Sequence, residues 1–183
     1  PTFWLPGEGL RERSRADRVE YSLWEKQGHL VATPGHTVDY DYVAPFLLNE
    51  LRTGGVAQIA FDRWNFRFLR AALERDGATE DELEMFVEFG QGFASISPAL
   101  RILDTVMLNG NLAHGDHPVL NMCARNSVVK SDPAGNRKLV KLTPKRRIDG
   151  MVSLAMAASV AGDPTDLEAS GSYIVDEGEV MFL

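Results

Sequence analysis

The chain of 183 residues has a single cysteine, Cys123, and no long uninterrupted apolar run. One cysteine excludes an internal disulfide and a cysteine-rich zinc site, so the fold does not depend on an oxidising compartment. No stretch approaches the roughly 18 apolar residues of a membrane-spanning helix. The start has neither a signal-peptide pattern nor an initiator Met. We therefore expect a cytoplasmic protein without a membrane partner, and a chain that is part of a longer one.

Several catalytic motifs are also missing. No glycine is followed by lysine, so the chain contains no P-loop, and neither HExxH nor GxSxG occurs. The segment "HGDH", residues 114–117, holds two histidines three positions apart. Such a pair in a glycine-containing loop is more typical of surface residues than of zinc ligands. The remaining candidates for chemistry are acidic side chains.

The net charge of −7 argues against wholesale wrapping of nucleic acid, but it conceals a basic window. Residues 125–147 contain eight basic side chains and one acid, Asp132, so the window carries +7 and the rest of the chain −14. The basic residues are Arg125, Lys130, Arg137, Lys138, Lys141, Lys145, Arg146 and Arg147. A charge run is often just a solvated face, yet this one also fits a local phosphate-binding surface.

The order of patterns along the chain predicts an α/β fold. Short apolar strands alternate with helices, which is typical of a central, largely parallel sheet covered by helices. We expect one helix in "RERSRADRVEYSLWEKQG" and another that opens with Ser97 as N-cap and Pro98 at its first position. Two β-rich runs around "DPAGN" predict a basic hairpin. We expect a single domain over residues 1–183, with the acidic segment 163–183 as a peripheral tail.

Two aspartates occupy positions that suit a metal site. Asp62 ends the apolar strand in "VAQIAFD", and Asp149 stands at the start of the apolar helix in "RRIDGMVSLAMAA". Each acid has a structural alternative, because either could cap the helix that follows it. In open α/β sheets, however, ligands gather at the carboxyl ends of strands. Two acids that converge at one rim would suit Mg²⁺ or Mn²⁺, which prefer hard oxygen ligands.

With both acids in place, the chain resembles the C-terminal nuclease domain of the large terminase subunit of tailed bacteriophages, in its lambdoid, HK97-type branch. No single motif carries the likeness, but the ordered set does, and it covers nearly all of residues 4–173. The segments are "YSLWEKQGHLVATPGHTVDYDYV", "IAFDRWNFRFLRAALERDG", "FGQGFASISPAL", "LNGNLAHGDHPVLNMCARN", "DPAGNRKLVKLTPKRRIDGMVSLAMA" and "GSYI".

This resemblance implies an RNase H-like fold, a mixed sheet flanked by helices whose acidic cluster binds Mg²⁺ or Mn²⁺. It implies an endonuclease that cuts concatemeric double-stranded viral DNA by two-metal hydrolysis in the bacterial cytoplasm. Asp62 and Asp149 match the second and third acids of the family. Implied partners are an N-terminal ATPase domain of the same polypeptide, a small terminase subunit and the portal protein. The residues expected to hold DNA are Lys138, Lys141, Lys145, Arg146 and Arg147.

One departure from the family pattern concerns its first metal-binding acid, which lies on an opening strand in a segment of the type "DLS". Nothing before Trp4 corresponds to that segment. We therefore expect the first strands of the complete domain, and this acid, to be absent from the chain. Two alternatives stay open at this point: a resolvase- or transposase-type nuclease with the same core, and a non-catalytic module that binds DNA or the portal.

Overall fold

The computed structural model describes residues 1–162, and the predicted tail at 163–183 lies outside the described residues. The chain divides into two compact units, one comprising Phe3–Phe89 and the other running from Gly90 onwards together with Pro1–Thr2. The elements in chain order are β1 (Trp4–Pro6), α1 (Leu10–Asp17), α2 (Tyr21–Lys26), β2 (Val31–Thr33), α3 (Tyr40–Thr53), β3 (Ile59–Asp62), α4 (Phe66–Arg75), α5 (Glu80–Glu84), β4 (Phe86–Phe89), α6 (Phe93–Leu108), α7 (Pro118–Asn126), β5 (Ser127–Ser131), β6 (Arg137–Lys141) and α8 (Asp149–Ala161).

The unit Phe3–Phe89 contains two pairs of parallel strands. β1 pairs with β2, and β3 pairs with β4 in a register that places Ile59 opposite Phe86 and Asp62 opposite Phe89. A parallel pair requires a crossover connection, which α1 and α2 supply for the first pair and α4 and α5 for the second. This arrangement agrees with the predicted mixed α/β class. Across residues 1–162 the strands are joined two by two, in three separate ladders.

Helix α4 packs through its first residue onto one face of the β3–β4 pair. The ring of Phe66 stacks on Phe61 with centroids 3.6 Å apart, and it lies 5.7 Å from Phe86. Successive residues of a strand point to opposite faces. Asp62 therefore points away from the face that Phe66 covers.

The unit from Gly90 onwards is built around α8, which packs against α6 and α7. Leu154, Ala155 and Met156 of α8 are buried, as are Leu103 of α6 and Cys123 of α7. The predicted hairpin is present as the antiparallel pair β5–β6, with Ser127 opposite Lys141. Strand β6 lies beside α6, whereas most of β5 is exposed, so β5 forms the outer strand of the hairpin.

Two expectations about helices are wrong. The helix expected at residues 11–28 is broken into α1 and α2, because Arg18 adopts a left-handed conformation with φ of 55° and ends α1. Helix α6 begins at Phe93 rather than at Pro98, and its N-cap is Gly92. The additional turn buries Ile96 and places Ser97, only 1% exposed, inside the helix. Burial of this apolar turn outweighs the backbone hydrogen bond that Pro98 cannot donate.

No helix within residues 1–162 has the length and apolar character needed to cross a membrane.

Candidate functional site

Asp62 is the last residue of β3 and is half-buried. Its Oδ1 accepts a hydrogen bond of 3.1 Å from the backbone N–H of Trp64, which folds the chain into a tight turn. The next helix, α4, begins at Phe66 and has Asn65 as its N-cap, with no side-chain capping bond. Asp62 therefore does not cap α4. A carboxylate at the carboxyl end of a parallel strand is in the position where α/β sheets bind ligands.

Asp149 is the first residue of α8, and its side chain is exposed. The N-cap is Ile148, so Asp149 is not the capping residue either. Its carboxylate lies beside the first turn, where the unpaired N–H groups of a helix favour negative charge. The neighbour at Met156, on the same face of the helix, is buried. The acid thus stands at the exposed end of a face that otherwise packs inward.

Cys123 of α7 packs under the first turn of α8. Burial raises the pKa of its thiol, and the negative charge of Asp149 raises it further. Hydrogen bonds from the backbone N–H groups of Gly150 and Met151 act in the opposite direction. The contact shows that α7 holds the start of α8, and with it Asp149, in place.

Asn126 joins the hairpin to the segment that precedes α8. Its side chain is buried, at 5% exposure, and its Nδ2 donates a hydrogen bond of 3.0 Å to the carbonyl oxygen of Arg147. Its own carbonyl oxygen accepts a hydrogen bond of 2.8 Å from the N–H of Leu142. One buried residue thus fixes both ends of the basic loop, which we define as residues 142–147. This loop leads directly into Asp149.

The basic residues predicted to bind DNA lie in two settings. Lys141, Lys145, Arg146 and Arg147 are exposed, on the end of β6 and on the basic loop. Lys138 is half-buried, with its Nζ 4.6 Å from the centroid of the Phe93 ring of α6. Arg137 forms an ion pair of 2.8 Å with Asp104 on the same helix. Arg137 and Lys138 thus attach the hairpin to α6, while the other four basic residues are exposed.

The structure brings Asp149 next to the basic loop within one unit, whereas Asp62 belongs to the other unit. Convergence of the two acids on one metal therefore stays a prediction. Within residues 1–162, no group of three or more His, Cys, Asp or Glu side chains is placed to hold a metal ion.

Sequence reasoning missed Asn126. Its two partners lie beyond the hairpin, so nothing in the local sequence points to them. It also assigned no role to the exposed side chains that directly follow Asp62, although a signal was present there. In "DRWNFRF" arginines and aromatic residues alternate within a few positions of a candidate metal ligand.

Comparison with known proteins finds a matching family model and proteins of similar sequence. The family model described as terminase large subunit, endonuclease domain, matches residues 3–163. The chain is 42% identical over 167 residues to the large terminase subunit of Enterobacteria phage HK97, a match that covers 91% of this chain and 32% of that protein. It is 26% identical over 167 residues to protein YmfN of Escherichia coli strain K12, with 88% and 35% covered. The chain thus spans about a third of the length of these relatives.

Two solved structures are similar in fold. The crystal structure of the HK97 large terminase superposes with a TM-score of 0.77 at 42% identity, covering 86% of this chain and 32% of that one. The large terminase nuclease of the thermophilic phage G20c superposes with a TM-score of 0.52 at 17% identity, covering 68% and 64%. At that identity the second likeness concerns the fold alone.

Proposed function

Because the chain belongs to the family of endonuclease domains of the terminase large subunit, we propose that it cuts concatemeric double-stranded DNA during phage DNA packaging, in a reaction that depends on Mg²⁺ or Mn²⁺. The observation that supports this most directly is the position of Asp62, a half-buried carboxylate at the end of a parallel strand that caps no helix. The family match also favours a terminase over the resolvase- or transposase-type nuclease.

The donor chemistry of the two acids fits the metals. Asp62 and Asp149 present carboxylate oxygens, which are the ligands that Mg²⁺ and Mn²⁺ prefer. In the proposed site both residues would hold the metals. When bound, such metals supply activation of the attacking water and stabilisation of the leaving oxygen in phosphodiester hydrolysis.

The basic residues of the second unit hold the substrate. We propose that Lys138, Lys141, Lys145, Arg146 and Arg147 contact phosphate oxygens and offset the repulsion between DNA and an otherwise acidic chain. Because Asp149 follows Arg147 by two residues, DNA held by the basic loop lies beside this acid. Phosphate contacts carry no sequence information, so site choice would rest with partners.

The proposal extends to the setting in which the domain works. We propose that the domain forms part of a polypeptide with an N-terminal ATPase domain, that the small terminase subunit and the portal protein are its partners, and that it acts in the cytoplasm of the bacterial host. We further propose that residues 1–183 act as a single nuclease domain with a peripheral tail at 163–183.

Metal-dependent plasmid nicking by the full-length protein tests the proposed activity. We expect nicking in Mg²⁺ or Mn²⁺, none in EDTA, and loss of nicking in Asp62→Ala with an unchanged circular dichroism spectrum. Equal nicking by the wild type and Asp62→Ala would contradict the proposed site. Absence of nicking in both proteins, with DNA binding retained, would instead indicate a non-catalytic DNA-binding module.

A further inference from the structure

We propose that a second DNA-contacting surface lies in the unit Phe3–Phe89, separate from the basic hairpin and immediately after Asp62. We define this surface, the arginine–aromatic strip, by Arg63, Trp64, Arg67 and Phe68. The inference rests on the proposed function, because it places the strip beside the phosphodiester that the domain would cut.

The exposure of the strip is unusual for its residue types. Trp64 is 79% exposed and Phe68 is 49% exposed. Tryptophan is highly buried on average, so an indole ring left almost entirely in water calls for a partner. The other tryptophans of the chain, Trp4 and Trp24, are partly covered.

The backbone of the turn that carries Trp64 is held in place. The hydrogen bond from the backbone N–H of Trp64 to Asp62 Oδ1 ties the backbone of Trp64 to the candidate metal ligand, two residues away. Asn65 then adopts a left-handed conformation with φ of 64°, which starts α4 directly after the turn. Phe66 is held against Phe61. Trp64 is therefore displayed by a turn that is anchored on both sides.

The charges of the strip identify the partner as an anion. The side chain of Arg63 is 73% exposed, and the carboxylate of Glu88 is 3.9 Å away, at the edge of ion-pair distance. Arg67 lies 4.6 Å from the centroid of Phe68. Within residues 1–162, no carboxylate is within ion-pair distance of Arg67. The next arginine, Arg70, differs, because its Nε is 2.8 Å from Glu74.

Exposed arginines interleaved with aromatic rings match the chemistry of nucleic acid better than that of an acidic protein surface. Arginines contact phosphate oxygens, and an indole packs on sugars or stacks on a base that leaves its pair. Aromatic and other apolar side chains also act as wedges between base steps in the minor groove. We infer that Arg63 and Arg67 bind the backbone and that Trp64 contacts the nucleotides that flank the scissile phosphate.

Binding of a fluorescent DNA duplex in EDTA tests the strip without using the metal site. The variants are Arg63→Ala/Arg67→Ala and Trp64→Ala in the full-length protein. The matched control is Arg11→Ala/Arg15→Ala, which removes two exposed arginines from α1 of the same unit. We expect the first double variant to bind roughly tenfold more weakly than the control and to lower the salt dependence of log K by about 2. We expect Trp64→Ala to weaken binding by about fivefold to tenfold.

Tryptophan fluorescence provides an independent readout. Acrylamide should quench Trp64 in the free protein, and bound duplex should protect it, whereas Trp64→Phe should remove the protected component. Wild-type affinity and salt dependence in the strip variants, or quenching of Trp64 unchanged by DNA, would overturn the proposal. That result would indicate that the arginine–aromatic strip contacts another protein instead of DNA. Failure of the nuclease proposal would appear separately, as equal nicking by the wild type and Asp62→Ala.

Discussion

The two units of this chain place their candidate acids by different means. In Phe3–Phe89, Asp62 owes its position to a parallel pair, β3–β4, whose strands are joined through α4 and α5. From Gly90 onwards, Asp149 owes its position to a buried helix and to Asn126, which ties the hairpin and the basic loop together. The first acid thus depends on sheet pairing across a crossover, and the second on helix packing and one buried amide. The first unit also carries exposed aromatic residues, whereas the second concentrates lysines.

The substitutions with the largest expected effect test whether both units contribute to DNA cleavage. Asp62→Asn and Asp149→Asn should each lower metal-dependent nicking by at least ~100-fold, because each would remove the charge of a proposed metal ligand while keeping its shape. The double variant should fall little below the weaker single variant, since residues that act as a unit are not additive. Plasmid nicking in Mn²⁺ measures this. Asp81→Asn, an exposed acid in α5, is the control, and a single variant with wild-type nicking would show that only one unit supplies ligands.

Asn126→Ala should be the next largest change, and it acts on the second unit alone. It removes the donor to the carbonyl oxygen of Arg147 from a partly buried hydrogen bond and empties the buried position of the amide, which costs about 1–3 kcal/mol. Urea unfolding should report this loss, and the released basic loop should lower DNA affinity. Asn121→Ala on the same helix is the control, because Asn121 bonds to Asp116 at an exposed site. Equal destabilisation by the two variants would mean that the loop is held by other contacts.

Substitutions of Lys138 and Lys145 should distinguish a residue that attaches the hairpin to α6 from one that contacts DNA. Lys145→Ala should lower the salt dependence of log K for duplex binding by about 1, with little effect on stability. Lys138→Ala should lower that slope by less and cost about 0.5–1 kcal/mol of stability, since it removes the cation–π contact with Phe93. Binding titrations at several salt concentrations and urea unfolding measure both quantities. An equal loss of slope would show that Lys138 leaves Phe93 when DNA binds.

The smallest expected effect is a pH-dependent change in the stability of the first unit. Hydrogen bonds from Arg52, and then from the backbone of Thr79, lower the pKa of Glu82 from 4.5 to about 2. A lowered folded-state pKa stabilises the fold fully above the ordinary value, and this contribution declines as the pH falls from 4.5 towards 2. The difference in urea midpoint between the wild type and Glu82→Gln should therefore be largest near pH 7 and vanish near pH 2. A difference that is independent of pH would assign the effect to packing.

Much of the fold could be predicted from sequence, because the relevant signals are local. The predicted RNase H-like α/β fold is confirmed by the family and structural matches. The hairpin follows from turn chemistry between residues 132 and 136, and α3 follows from the helical spacing of its apolar residues and from Gly54 at its end. Helix α5 was not expected, although Thr79 and Glu82 have the spacing of a capping box.

What could not be predicted depends on distant contacts or on burial. The left-handed Arg18 has no residue-type signal, because glycine and asparagine are the usual residues in that conformation. The early start of α6 reflects burial of Ile96, which outweighs the local preference of proline for a first turn. The role of Asn126 cannot be predicted from local sequence, because its two hydrogen-bond partners follow the hairpin in the chain.

Cys123 gives the protein an intrinsic chemical reporter. It is the one thiol in the chain, only 2% exposed, and its raised pKa keeps it protonated and unreactive while α7 covers the start of α8. Alkylating reagents can therefore modify the folded protein only when these two helices separate. Where alkylation is faster than reclosing, the rate of that modification should report how often Asp149 loses its support.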